Sequence, residues 1–191
     1  MGPPGRFRPL LTSAVRRRAV PHTSALGGAP ALPPPDGVEL VPLEGLRDLP
    51  HYDQDLDTDD PPAAVSLLRA QVAAADAILI ATPEYNGSIP GVVKTAVDWA
   101  SRPFPGSSLR GRPVAVIGAS TSRFGGVWAQ AELRKVLGLA GARVVPDAVA
   151  VPHAQDAFGP DGRLLDPGQA EALDAVLAAL VAAACPQPVG V

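Results

Sequence analysis

The sequence predicts an α/β protein of three layers, with a parallel sheet covered on both faces by helices. Three observations carry that expectation. Two short apolar runs, Ala77-Ile78-Leu79-Ile80 and Pro113-Val114-Ala115-Val116-Ile117, have the length and branching of strands buried on both faces. Each ends in a polar loop punctuated by glycine, and each loop enters a segment whose apolar residues recur at helical spacing. The alternation of strand and helix then continues to the end of the chain, which is the pattern of a parallel sheet rather than of hairpins.

Taken in order, Val38 to Leu43 reads as a short strand, and residues 46–62 form a long acidic loop. Ala63 to Ala75 is an Ala-rich amphipathic helix with Val65, Leu68 and Val72 on one face. The strand at 77–82 follows, then a helix from Gly91 through Trp99 and Ala100. Gly111-Arg112 turns the chain into the strand at 113–119, and a helix from Val127 to Leu139 is stopped by Gly141. Arg143 to Val151 gives the last strand, and Gln169 to Ala184 the closing Ala/Leu helix. At 191 residues the chain suits one α/β domain, assigned to residues 36–185, and no internal repeat is visible.

Charge is unevenly distributed. Residues 1–35 hold five Arg and no acid, whereas the remainder holds 11 basic and 19 acidic residues, which together give the net −3. This Pro-rich leader, with Arg16-Arg17-Arg18, lacks interleaved aromatics and helical periodicity. It reads as a disordered or mis-assigned segment rather than as a nucleic-acid arm or a targeting peptide. The single cysteine, Cys185, excludes an internal disulfide and a cysteine-built metal site. No apolar run approaches the ~18 residues of a membrane helix, so a cytoplasmic protein without membrane or nucleic-acid partners is expected.

Three local patterns compete for chemistry and each falls short. Asp53, Asp55, Asp57 and Asp59 alternate as in a calcium loop, but no glycine holds the sixth position and Pro61-Pro62 stands where the bidentate Glu belongs. Gly118-Ala119-Ser120-Thr121-Ser122 nearly copies a hydrolase nucleophile elbow, yet Ser122 replaces the final glycine and only His153 lies downstream to complete a triad. Asn86-Gly87-Ser88 is formally a glycosylation acceptor without a secretory context.

The loops after the two buried strands are the stronger signal. Pro83 fixes the exit of the first, and Asn86-Gly87 permits positive φ, so that backbone N–H groups can face outward. The second combines hydroxyls with Gly125-Gly126. Both follow consecutive strands and so lie side by side at one rim of the sheet, where an open α/β sheet places its ligand. Two adjacent loops of this composition suit the edge of a flat heterocycle.

Thr82 to Gly91, continuing through Lys94 and Asp98-Trp99-Ala100-Ser101-Arg102-Pro103, closely resembles the NADPH-dependent FMN reductase family of flavodoxin-like proteins, which includes quinone, chromate and azo-dye reductases. Pro113 to Ser120, Arg123-Phe124-Gly125-Gly126, Gln130 and Leu133-Arg134 fit the same family, and the resemblance covers about residues 38–180. It implies a flavodoxin-like sheet and an FMN-dependent NAD(P)H oxidoreductase. Hydride would pass from NADPH or NADH to bound FMN, and on to a small-molecule acceptor such as a quinone or an azo compound. It further implies that Pro83, Glu84, Tyr85 and Asn86 line the flavin ring, and that Ser120, Gly125 and Gly126 complete the pocket. A homodimer or homotetramer is expected, with the helix carrying Trp99 contributing an apolar face. No side chain is assigned a catalytic role and no metal is expected, because hydride transfer needs no base. Glu84 is expected to order its own loop or a neighbouring subunit. The chain departs from the family at its start. The first strand and the Gly-Ser-Leu-Arg phosphate loop that follows it are atypical or missing, with Leu10 to Val15 the nearest candidate for the strand. FMN affinity is therefore expected to be weak, and a degenerate cofactor-poor paralogue or a non-catalytic flavin electron carrier are the alternatives.

Overall fold

The computed structural model describes residues 11–17 and 38–185. Strands Leu11–Arg17 (β1), Val38–Pro42 (β2), Ala77–Thr82 (β3), Pro113–Ala119 (β4), Arg143–Val144 (β5) and Ala150–Val151 (β6) alternate from β2 onward with four helices. These are Ala63–Ala74 (α1), Gly91–Ala100 (α2), Val127–Leu139 (α3) and Pro167–Ala184 (α4). The sheet order is β2-β1-β3-β4-β5, with β6 also pairing with β4. This is the flavodoxin-like order, and the fold class is the one the sequence predicts.

The first strand is present but atypical. Residues 11–17, expected to belong to a separate leader, occupy the central position between β2 and β3 and run antiparallel to both. The sheet is therefore mixed, and only β3, β4, β5 and β6 pair in parallel. The reason is backbone hydrogen bonding: β2 and β3 would each present an unpaired edge to the interior, and any extended segment that satisfies both edges is stabilised there. The rest of the expected leader, residues 1–10 and 18–35, lies outside the described residues.

Alternation within the apolar runs assigns the two faces. Ile78, Ile80, Val114 and Val116 pack against Val65, Leu68 and Val72 of α1, Val93 and Val97 of α2, and Leu133 and Leu137 of α3. Ala77, Leu79 and Ala115 face Leu173, Val176, Leu177 and Leu180 of α4. Each of these buried Leu side chains contributes ~2 kcal/mol of transfer free energy. Helix α4 has 18 residues and is long and apolar enough, by length and composition, to cross a bilayer. That corrects the expectation that no such segment exists; here Leu173, Val176, Leu177 and Leu180 are packed on the sheet.

The edge strand expected over 143–151 is interrupted. Val145 N still donates to Val114 O, and Gly118 N to Val149 O, but Pro146 brings no donor and the chain between them leaves the ladder. Arg134 of α3 bridges the gap, donating Nη1 to Val145 O at 2.6 Å and Nη2 to Asp147 O. Burial lowers the Arg134 pKa, and the Asp147 charge opposes that shift.

The acidic loop is folded back as a strap. Trp99 is fully buried, donates Nε1 to Pro50 O at 2.9 Å and takes the edge of Tyr52 at 4.8 Å between centroids. Arg69 lies over the indole, donates Nε to Trp99 O and pairs with Asp57 at 2.7 Å. The apolar face of α2 at Trp99, expected to serve self-association, is thus covered by the protein's own residues 50–57.

Candidate functional site

The site is built where β3 and β4 end. Pro83 is buried at the exit of β3, and Thr82 beneath it turns its hydroxyl onto Pro83 O at 2.9 Å. Residues 85–88 then form a two-residue hairpin: Tyr85 N donates to Ser88 O and Ser88 N to Tyr85 O, both at 3.0 Å. The turn requires left-handed backbone at both central positions, which Asn86 (φ 54°) and Gly87 (φ 71°) provide. The Tyr85 amide is consumed inside the hairpin, whereas those of Glu84, Asn86 and Gly87 make no hydrogen bond among the described residues.

The second loop, residues 120–126, is ordered by its own hydroxyls. Ser120 Oγ accepts from Ser122 N and lies 3.2 Å from Ser122 Oγ, and Ser122 Oγ accepts from Phe124 N. Ser120 is thereby engaged with its own loop and has no imidazole partner among the described residues, which removes the hydrolase reading. The amides of Arg123 and Gly126 remain without partners there. Residues 151–154, which the sequence did not assign to this site, form a third wall: Ser120 N donates to Val151 O, Ala154 N to Ser120 O and His153 N to Ser122 O. Gly125 (φ 62°) lies flat on this wall, since a Cβ there would stand 2.8 Å from the carbonyl carbon of Ala150. Gly126 (φ 83°) begins α3, and its missing Cβ would lie 3.7 Å from Ala119 N and 3.8 Å from Glu84 Cβ.

Glu84 joins the loops. Its Oε2 accepts from Trp128 N at 2.9 Å and from Ala129 N at 3.0 Å, capping the N-terminus of α3 from across the cleft. The helix has no cap of its own, because Gly126 at the cap position has no side chain to accept these bonds. Ser88 Oγ adds a second tie, donating to Glu132 Oε2 at 2.5 Å one turn farther along. Glu84 was expected to order its own loop or a neighbouring subunit; within the chain its bonds go to the neighbouring helix α3. A helix opening after Gly-Gly, without Ser, Thr, Asp or Asn, was the readable sign that a distant cap was needed.

The described residues fit the ring end of a flavin. Unpartnered amides lie on both loops at one rim of the sheet, a donor set whose chemistry suits the acceptor edge of a flat heterocycle. They do not fit the phosphate end. Strand β1 begins beside Ala81 at this rim and leaves at the opposite edge, so the connection that follows it starts away from the site. The α3 amides that could hold an anion are already occupied by the Glu84 carboxylate.

Comparison with known proteins gives this geometry its context. Residues 25–156 match the NADPH-dependent FMN reductase family. The chain is 42% identical over 161 residues to an NAD(P)H-dependent FMN reductase of Pseudomonas aeruginosa, covering 83% of this chain and 85% of the relative. It is 36% identical over 141 residues to a quinone reductase of Escherichia coli, covering 73% and 71% respectively. Among solved structures it is similar to FerB, a flavoenzyme NAD(P)H:(acceptor) oxidoreductase from Paracoccus denitrificans, with a TM-score of 0.64 and 38% identity over 74% of this chain and 78% of that one.

Proposed function

The chain belongs to the NADPH-dependent FMN reductase family, and on that premise we propose that it is a flavin-dependent NAD(P)H oxidoreductase acting on quinones, azo compounds or similar acceptors. The observation that carries this reading is the pair of loops 82–91 and 120–126, with free amides on each and Glu84 fixing their separation. Flavin held between these loops would supply the redox chemistry that links NAD(P)H to a second small molecule.

The protein's part is orientation and exclusion. Amides of Glu84, Asn86, Gly87, Arg123 and Gly126 are the donors for the polar edge of the ring, held by the hairpin and the hydroxyl turn rather than by flexible side chains. Pro83 and Ile89, both buried, stiffen the loop from below. Tyr85, 57% exposed on the first loop, is the aromatic side chain available there to stack on a flat acceptor or the nicotinamide. No base is needed on the protein, so Glu84 serves through its cap on α3. By family resemblance the working protein is a cytoplasmic homodimer or homotetramer. NADPH oxidation by the full chain with added FMN and a quinone tests the reading, and a folded chain that oxidises no NADPH under those conditions contradicts it. The reversed β1 favours a second reading, a cofactor-poor paralogue, which predicts neither flavin binding nor NADPH oxidation.

A further inference from the structure

We propose that the aromatic shelf on the first turn of α3 binds the adenosine-diphosphate end of NAD(P)H, an inference that rests on the functional reading above. Phe124 and Trp128 pack ring against ring, 4.7 Å between centroids, yet remain 40% and 49% exposed, with Val127 42% exposed between them. In a chain with only 4% aromatics, three exposed apolar residues at one helix start are conspicuous, and they adjoin the second loop of the site. The Arg123 guanidinium lies 4.6 Å from the Phe124 centroid and has no carboxylate within ion-pair distance among the described residues.

Charge selects the occupant. Glu84 is engaged with the α3 amides and Glu132 with the Ser88 hydroxyl, and no described carboxylate pairs with Arg123. Among the described residues Arg123 has no counter-charge, so an anionic ligand can supply one. A second copy packed on the shelf through a two-fold axis brings another Arg123 that has no ion-pair partner among the described residues. A pyrophosphate brings two negative charges in the geometry a guanidinium fork accepts, and a purine stacks on an exposed indole. With the nicotinamide over the ring cleft, the remainder of the dinucleotide must extend across one bounding loop. The α3 side offers both the stacking surface and the cation.

Two independent measurements test this. Trp99 is fully buried and Trp128 half exposed, so quenching of tryptophan emission by ADP reports the shelf without any turnover. ADP is expected to quench the full-length protein saturably, and about tenfold more weakly in Arg123→Ala, the loss expected for one charge-assisted contact. In steady state with FMN and a quinone, NADPH is compared with reduced nicotinamide mononucleotide, which lacks the adenosine part. Arg123→Ala and Trp128→Ala are each expected to raise KM for NADPH about tenfold and to shrink the preference for NADPH over the short donor by the same factor, with Trp128→Phe restoring part of it. Parallel losses with both donors, or no saturable quenching by ADP, overturn the shelf and leave the oxidoreductase reading standing. Light scattering that shows Trp128→Ala splitting a dimer assigns the shelf to a second copy and overturns it too. Oxidation of neither donor by the wild type overturns both.

Discussion

Glu84 places one carboxylate oxygen within 3.0 Å of two helix amides, and no residue of α3 itself can take its place. Removing it leaves donors at a helix start unsatisfied and frees the two loops to separate. Glu84→Ala is therefore expected to destabilise the fold by ~1–2 kcal/mol and to lower the melting temperature by several degrees. It should weaken flavin binding in the same titration, and Glu84→Gln, which keeps an acceptor, should lose less of both. An unchanged melting curve for Glu84→Ala would contradict the capping role. The glycines make a sharper contrast. Gly125 and Gly87 both have positive φ, but a Cβ at Gly125 collides with the backbone of residues 150–152, whereas a Cβ at Gly87 meets nothing within 4 Å. Gly87→Ala should cost about 1 kcal/mol of backbone strain, and Gly125→Ala clearly more, ~2–4 kcal/mol, with flavin binding lost as the loop lifts from β6. Equal melting temperatures for the two variants would sink this account of the third wall.

At the scale of elements, β3, β4 and α1 to α4 were legible because burial on both faces of a sheet and on one face of a helix leaves strong periodic patterns. Ala77 to Thr82 and Val127 to Leu139 match the expected spans. Pro146 was readable as a strand breaker, but Arg134 of α3 is what satisfies the acceptors at the break, and that pairing is tertiary. The strap at 50–57 reads in the sequence only as part of an acidic loop, because Asp57 and Tyr52 find their partners Arg69 and Trp99 only in the folded chain. Strand β1 was least legible: its place is set by two waiting strand edges rather than by its own pattern, and nothing local fixes its direction. That direction carries a prediction. A phosphate held without convergent amides gains little over solvation, so FMN and riboflavin should bind within about tenfold of each other. Flavin fluorescence titration checks this, and FMN binding a hundredfold tighter than riboflavin would reveal an anion site formed by residues outside those described.

At the scale of the whole molecule, the site residues were legible as composition but not as construction. Pro83, Glu84, Tyr85, Asn86, Ser120, Gly125 and Gly126 do come together at one rim. Glu84, Ser120 and Gly125 hold the walls, and the amides of Glu84, Asn86, Gly87, Arg123 and Gly126 take no partner among the described residues. Self-association, expected from the resemblance, cannot use the Trp99 face, which the strap occupies. Light scattering at micromolar concentration should still report a dimer or tetramer, and a monomer would remove oligomerisation from the account. The measurement that bears most directly on the central claim is NADPH oxidation by the folded full-length chain, with a quinone acceptor, as a function of added FMN. The structure predicts a rate that saturates in FMN and collapses in Gly125→Ala. A wild-type rate that does not depend on FMN, or that Gly125→Ala leaves intact, would contradict a flavin site at the ends of β3 and β4.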